Sequence, residues 1–295
     1  MRKQVLFILS LFLAINLHAE NKFVIEGSVA NVPDGLIVEL LRNEDNVGML
    51  VASDTLRNGK FRFEEETSGN GTDWMFLTAR TENYYSMILY LWVRPGSSIR
   101  ISADNLLVYT WSVESDVPEQ QTRSKILASS RDLWNEYQIL DGDYDSLRSR
   151  IKLGKYSGEE TKRQKARLDS MKQAKSMLQD RISAVELEAM AKLDVDQAWM
   201  LNYVNTAYMV NISKNKDNLE KAKALYAYIP DVWRDSFSGR EAKNVLFPQH
   251  VVEVGEEAAD ADLYDIDGKL WHLSDFRGRY VLIDFWSRGC GPCQM

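Results

Sequence analysis

Near Pro118 the hydrophobic pattern changes period, and neither a single sheet nor a single bundle accommodates both sides of that change. From Phe23 to about Ala103 the chain reads as short strands. "FVIEGSV" and "GLIVELL" are separated by a turn at Pro33-Asp34-Gly35. "SDTLRNGKFRFE" reads as a hairpin, because Asn58-Gly59 supplies a positive-φ turn and Phe61 and Phe63 then share one face. "DWMFLTAR", "YYSMILYLWV" and, after Arg94-Pro95-Gly96, "SSIRISA" complete about seven strands, the pattern of a β-sandwich. From Pro118 to Phe247 the period becomes helical. Leu168, Met171, Leu178, Ile182, Val185 and Ala189 form a seam on one long helix, interrupted by Lys175. "DVDQAWMLNYVNTAYMV" and "DNLEKAKALYAYI" give further helices, the latter ended by Pro230. The many Tyr and Trp residues at helical spacing read as core packing rather than as a ligand site.

After Pro248 the pattern changes again. "ADLYDIDGKLWHL" reads as a hairpin with Asp267-Gly268 at its tip, and "SDF" as a short helix start with Ser274 as N-cap. "RYVLIDFW" is a continuous apolar run, the signature of a strand buried on both faces. It leads into the chain's two cysteines, Cys290 and Cys293, with Gly291 and Pro292 between them. A strand followed by C-x-x-C is the arrangement of a dithiol redox site. A thiol at the first turn of a helix faces unpaired N–H groups and the positive end of the helix dipole, which favour the thiolate. A thiol three residues on lies on the same side of that turn and can resolve a mixed disulfide. A bridge over two residues closes almost no loop, so stability is a poor reason for the pair.

The stretch "GEEAADADLYDIDGKLWHLSDFRGRYVLIDFWSRGCGPC" resembles the opening of a thioredoxin-like domain. It is most similar to the exported TlpA/ResA-like branch of the alkyl hydroperoxide reductase and thiol-specific antioxidant superfamily. "LSDFRG", "VLIDFW" and "CGPC" occur in that family's order and spacing, over about residues 251 to 295. The resemblance implies that Cys290 is the nucleophile and Cys293 the resolving thiol. Asp284 matches a buried acid that takes a proton from the resolving cysteine, and Trp286 matches a tryptophan packed beside the site. The sequence departs from the family at Ala258-Ala259-Asp260-Ala261, where Ala-Pro-Asp-Phe is common, and at Gly289, where Trp is usual. The family's later strands and cis-proline loop have no counterpart up to Met295, so the resemblance implies a partial thioredoxin fold, a C-terminally truncated chain. The preceding β-rich segment is similar to an N-terminal domain of unknown function found ahead of such folds in envelope proteins.

The expectation is a multidomain chain. A signal peptide occupies residues 1–19, a β-sandwich-like N-terminal domain 20–113, a central α-helical region 114–248, and the first part of an α/β thioredoxin-like fold 249–295. The leader reading rests on Arg2 and Lys3, an apolar run from Val5 to Leu17 and a small residue at Ala19. It implies export, to the periplasm or cell envelope of a bacterium, and no stable membrane span after cleavage. Lys plus Arg number 36 against 43 Asp plus Glu, a formal charge of −7 that argues against a nucleic-acid partner. His250 and His272 are too far apart to complete a Cys₂His₂ zinc site, so no metal or cofactor is expected beyond the redox-active pair. The expected partners are a protein thiol or disulfide substrate and a redox partner that the sequence does not identify. The competing reading is a non-catalytic envelope binding or scaffold protein, whose working parts are the β and helical regions.

Overall fold

The computed structural model describes residues 21–44, 47–82, 84–248, 252–286 and Cys293. The leader read at residues 1–19 lies outside them. The described residues form two compact units, one running to Leu246 and one starting at Phe247.

The first unit begins as two facing sheets. One has the order β4-β1-β8-β9, from β1 (Lys22–Val29), β4 (Lys60–Glu66), β8 (Ser98–Ala103) and β9 (Ser112–Ser115). β1 runs antiparallel to β4 and parallel to β8. The other has the order β3-β2-β5-β6, from β2 (Ile37–Glu44), β3 (Val47–Thr55), β5 (Asp73–Thr81) and β6 (Tyr84–Tyr85), with β7 (Leu89–Val93) also paired to β5. Period-2 alternation aims Phe23, Ile25, Phe61, Phe63, Ile99 and Ile101 inward from the first sheet. They meet Val38, Leu40, Met75, Leu77, Leu89 and Leu91 from the second in one core.

One sequence expectation is corrected here. The Asn58-Gly59 turn forms, with both residues at positive φ and paired bonds between Arg57 and Lys60. Its two arms, however, do not make a hairpin. β3 pairs with β2, while β4 pairs with β1 in the opposite sheet. Leu56 is fully buried and its N–H donates to Leu36, which pulls the incoming arm away and makes the turn a corner between sheets. Gly27 lies across from Phe61, and the ring occupies the space a Cβ would need.

Six helices follow among the described residues: α1 (Pro118–Lys152), α2 (Gly158–Met190), α3 (Gln197–Ser213), α4 (Lys216–Tyr226), α5 (Asp231–Arg234) and α6 (Phe237–Leu246). Pro118 opens α1, where its missing N–H costs nothing. Gly154 at φ +67 closes α1 in a Schellman arrangement, with Lys155 N donating to Arg150 O and Gly154 N to Ile151 O. The α2 seam packs as its spacing predicts, with Leu178 and Ile182 buried and the other four positions half-buried. Lys175 is tolerated in it because it bonds Asp141 of α1 and lies 4.6 Å from the Tyr144 ring centroid. Trp199 and Tyr203 of α3 stack in the helical core with Met190, Met200 and Val210.

The helices also cover the outer face of the second sheet. Trp92 of β7 packs there with Val117 and Ala198. Its backbone N–H, on the edge of the sheet, donates to Gln120 Oε1 of α1 at 2.9 Å. The β-rich and helical regions are therefore joined within one unit.

Candidate redox site

The second unit is built around one carboxylate. The expected hairpin forms between β10 (Leu263–Tyr264) and β11 (Leu270–Trp271), with Gly268 at φ +76. Asp265 Oδ1 accepts from the N–H groups of Asp267 and Lys269 at 3.0 and 2.9 Å, and Oδ2 from Trp271 Nε1 at 3.0 Å. The Trp271 bond, with the backbone bonds behind it, lowers the Asp265 pKa. Trp271 in turn stacks on Phe276 and carries Lys269 Nζ 3.8 Å from its ring centroid.

The next turn, Leu273–Phe276, is 3-10 and its cap is not Ser274. His272 takes that position in extended backbone, and its N–H donates to Asp275 Oδ2 at 2.9 Å. Ser274 lies inside the turn and its N–H donates to Asp260 Oδ1 at 3.3 Å. The side-chain bond from Ser274 lowers the Asp260 pKa.

The apolar run is where the structure departs furthest from expectation. Residues 280–286 form no strand, and Leu282 and Phe285 are 95% and 88% exposed. A strand buried on both faces needs neighbouring strands and covering helices. Among the described residues the second unit offers only the two-residue pair β10-β11, which does not reach this segment. Asp284 is exposed for the same reason, so the buried acid of the family pattern is not formed here.

Of the remaining predicted site residues, Cys290, Gly291 and Pro292 lie outside the described residues. Trp286 and Cys293 are brought together. The indole Nε1 donates to Cys293 O at 2.8 Å, and Cys293 Sγ lies 3.8 Å from Phe285 O. The end of the apolar run and the second cysteine thus meet. Two residue groups were missed from sequence. The Asp265–Trp271 lock has only its turn signal. A buried polar cluster in the first unit, Arg123 with Glu186, announces itself only as charges on otherwise apolar helix faces.

Part of this chain is similar to ResA. Over 43 residues it is 40% identical to the thiol-disulfide oxidoreductase ResA of Bacillus thuringiensis, covering 15% of this chain and 25% of that protein. Over 51 residues it is 37% identical to the thiol-disulfide oxidoreductase ResA of Geobacillus thermodenitrificans, covering 17% and 29%. The chain therefore spans about a quarter of the length of the relatives it matches. No family model matches, and no solved structure matches. Among the described residues no helix is long and apolar enough to cross a membrane, and no group of three or more His, Cys, Asp or Glu side chains converges on a metal-sized space.

Proposed function

We propose that this chain carries the dithiol site of an exported thiol–disulfide oxidoreductase, with residues 249–295 as the opening part of a thioredoxin-like domain. The observation that carries the reading is the C-G-P-C pair, set off from "VLIDFW" by three residues, in a chain with a partial likeness to ResA. The contact between Trp286 and Cys293 supports it.

In this reading the Cys290 thiolate attacks one sulfur of a substrate disulfide. The other substrate sulfur leaves as a thiolate and takes up a proton. Asp284 then accepts the Cys293 proton, and the Cys293 thiolate attacks Cys290 Sγ. That step forms the Cys290–Cys293 disulfide and releases the second substrate thiol. Two electrons pass from the pair to the substrate, and the reverse sequence oxidises a dithiol substrate instead. Gly291 leaves room for a partner's backbone, and Pro292 suits an early helical position where no N–H is needed. The substrate is a protein disulfide or dithiol, a separate redox partner resets the pair, and the setting is the bacterial cell envelope.

A second reading, a non-catalytic binding or scaffold protein, is favoured by the exposed run 280–286 and the exposed Asp284. Trapping on protein expressed from its own gene separates the two. Cys293→Ser should accumulate a mixed disulfide with substrate through Cys290, and Cys290→Ser should not. Equal capture by both variants would overturn the assignment of roles, and capture by neither would favour the scaffold.

A further inference from the structure

Helices α1 and α2 form an antiparallel hairpin, in which Asp141 faces Lys175 and Glu136 faces Arg181. Its inner half packs into the first unit through residues such as Ile126 and Leu187. Its outer half does not. Beyond Tyr137 only Leu147 of α1 is buried, and α2 has no buried residue before Leu178. That half is an arm roughly 25 Å long, at about 1.5 Å per residue. Gly154 turns the chain at its tip.

Positive charge is concentrated on the arm. From Arg148 to Lys172 the sequence has nine Lys and Arg against three acids, in a chain whose formal charge is −7. All nine cations are exposed. Two of them are paired, Lys162 with Glu159 and Arg163 with Glu160, and no ion pair joins the other seven to an acid among the described residues. The nearest acids on α1, Asp143 and Asp145, lie about two turns or more back from the tip. A merely solvated helix surface interleaves both signs, because like charges repel. One sign prevails on this arm, which costs it self-repulsion and suits an anionic surface.

A second observation narrows which surface. Leu153, at the tip between Lys152 and Lys155, is 71% exposed. The phosphates of a nucleic acid offer such a side chain nothing. A lipid layer offers it hydrocarbon just beneath the phosphates. The Lys side chains beside it are long enough to keep their charges at the headgroups.

We propose that the tip of this arm docks on a membrane surface rich in anionic phospholipid, with Leu153 entering the acyl boundary and the surrounding Lys and Arg side chains on lipid phosphates. The contact is peripheral, since no described helix is long and apolar enough to cross a membrane. It does not depend on the cysteine pair.

The test is co-sedimentation of the full chain with vesicles of phosphatidylcholine alone, or of equal parts phosphatidylcholine and phosphatidylglycerol. The chain should partition onto the anionic vesicles at least about tenfold more strongly, and should lose that preference at about 1 M salt, where the Debye length falls to about 3 Å. Replacing four cations together, Lys152→Gln, Lys155→Gln, Lys165→Gln and Arg167→Gln, should lower partitioning by at least about tenfold. Leu153→Ser should lower it about threefold or more. All five positions are exposed, so both variants should melt no earlier than the parent. The four-site variant keeps Arg2 and Lys3, so unchanged partitioning in it would assign the binding to the start of the chain and overturn the proposal. Equal partitioning onto the two vesicle types would overturn it as well. Short duplex DNA that displaces the chain from the vesicles, with no loss of partitioning in Leu153→Ser, would mean a general polyanion site in place of a membrane one.

Discussion

Two apolar runs in this chain have almost the same pattern and opposite fates. "LYLWV" in β7 is buried on both sides. "YVLIDFW" at residues 280–286 is exposed along its whole length. The difference is in what surrounds them. β7 pairs with β5, faces the first sheet through Leu89, Leu91 and Val93, and is covered on its other face by α1 and α3 at Trp92. The second run pairs with no strand among the described residues. A continuous apolar run thus states a demand for cover on both faces, and other parts of the molecule determine whether the demand is met.

The comparison breaks most visibly on a like-for-like truncation. Leu91 is fully buried and Leu282 is 95% exposed. Leu91→Ala should cost about 2–5 kcal/mol by removing core contacts and leaving a cavity. Leu282→Ala should stay within about 0.5 kcal/mol, as exposed substitutions do. Urea melts of the two variants measure both, and comparable losses would mean that the 280–286 run is packed in solution.

Glycines sharpen the same contrast. Gly27→Val should cost about 1–3 kcal/mol through overpacking, because Phe61 is pinned between Phe63 and Trp111 and cannot swing clear. Gly268→Ala meets no neighbour and should cost only the ~1 kcal/mol of a left-handed backbone. Packing sets the first penalty and backbone conformation the second. Reversal of their order in thermal melts would contradict the close approach of β1 and β4.

What was legible in the sequence follows the same division. Alternation alone put Phe61 and Phe63 of β4 on one face, since each side chain's direction there is a local property. The hairpin at Asn58-Gly59 was misread because the turn is local, whereas the divergence of its arms depends on Leu56 finding a place opposite Leu36. β9 escaped notice because "SVES" carries almost no apolar signal and is held by pairing with β8. The Asp267-Gly268 turn was legible, but the Asp265 lock beneath it was not. At the candidate redox site the C-G-P-C motif is legible as a sequence pattern, of which Cys293 alone lies among the described residues. The exposure of Asp284 is not, because whether a carboxylate is covered depends on elements distant in the chain. Arg123 and Glu186 read as ordinary helical charges until the fold buries both.

Lysines over aromatic rings give a smaller contrast. Lys175 is 18% exposed and bonds a partly covered Asp141, whereas Lys269 lies over Trp271 on an open hairpin. Lys175→Ala should cost about 1–2 kcal/mol, because it strands Asp141 and uncovers two tyrosine rings. Lys269→Ala should cost less than about 1 kcal/mol at its exposed site. Matching losses in chemical denaturation would show that burial does not strengthen the first contact.

The smallest effect has the most specific sign. Asp196 and Asp265 both accept backbone N–H bonds at the start of a local structure, yet their pKa values move in opposite directions. Burial raises Asp196, the N-cap of α3, although Thr122 and the Trp199 N–H both donate to it. The Trp271 bond and the backbone bonds behind it outweigh a smaller desolvation and lower Asp265. At Asp196 the folded state holds its proton more tightly than the unfolded chain. Its contribution is therefore full below the ordinary value of 3.8 and is lost as pH rises through the higher folded value. At Asp265 the contribution is present above 3.8 and is lost as pH falls through the lower folded value. Melts compared with Asp196→Asn, which keeps a capping oxygen, should show the unmodified protein losing ground to the variant as pH rises from 3.8 through the raised folded value. The hairpin of the second unit, followed by the Trp271 indole resonance, should instead loosen on acidification, and Asp265→Asn should remove that dependence. Two slopes of the same sign would show that Asp196 is solvated like its exposed counterpart, and that α3 does not bury its cap against α1.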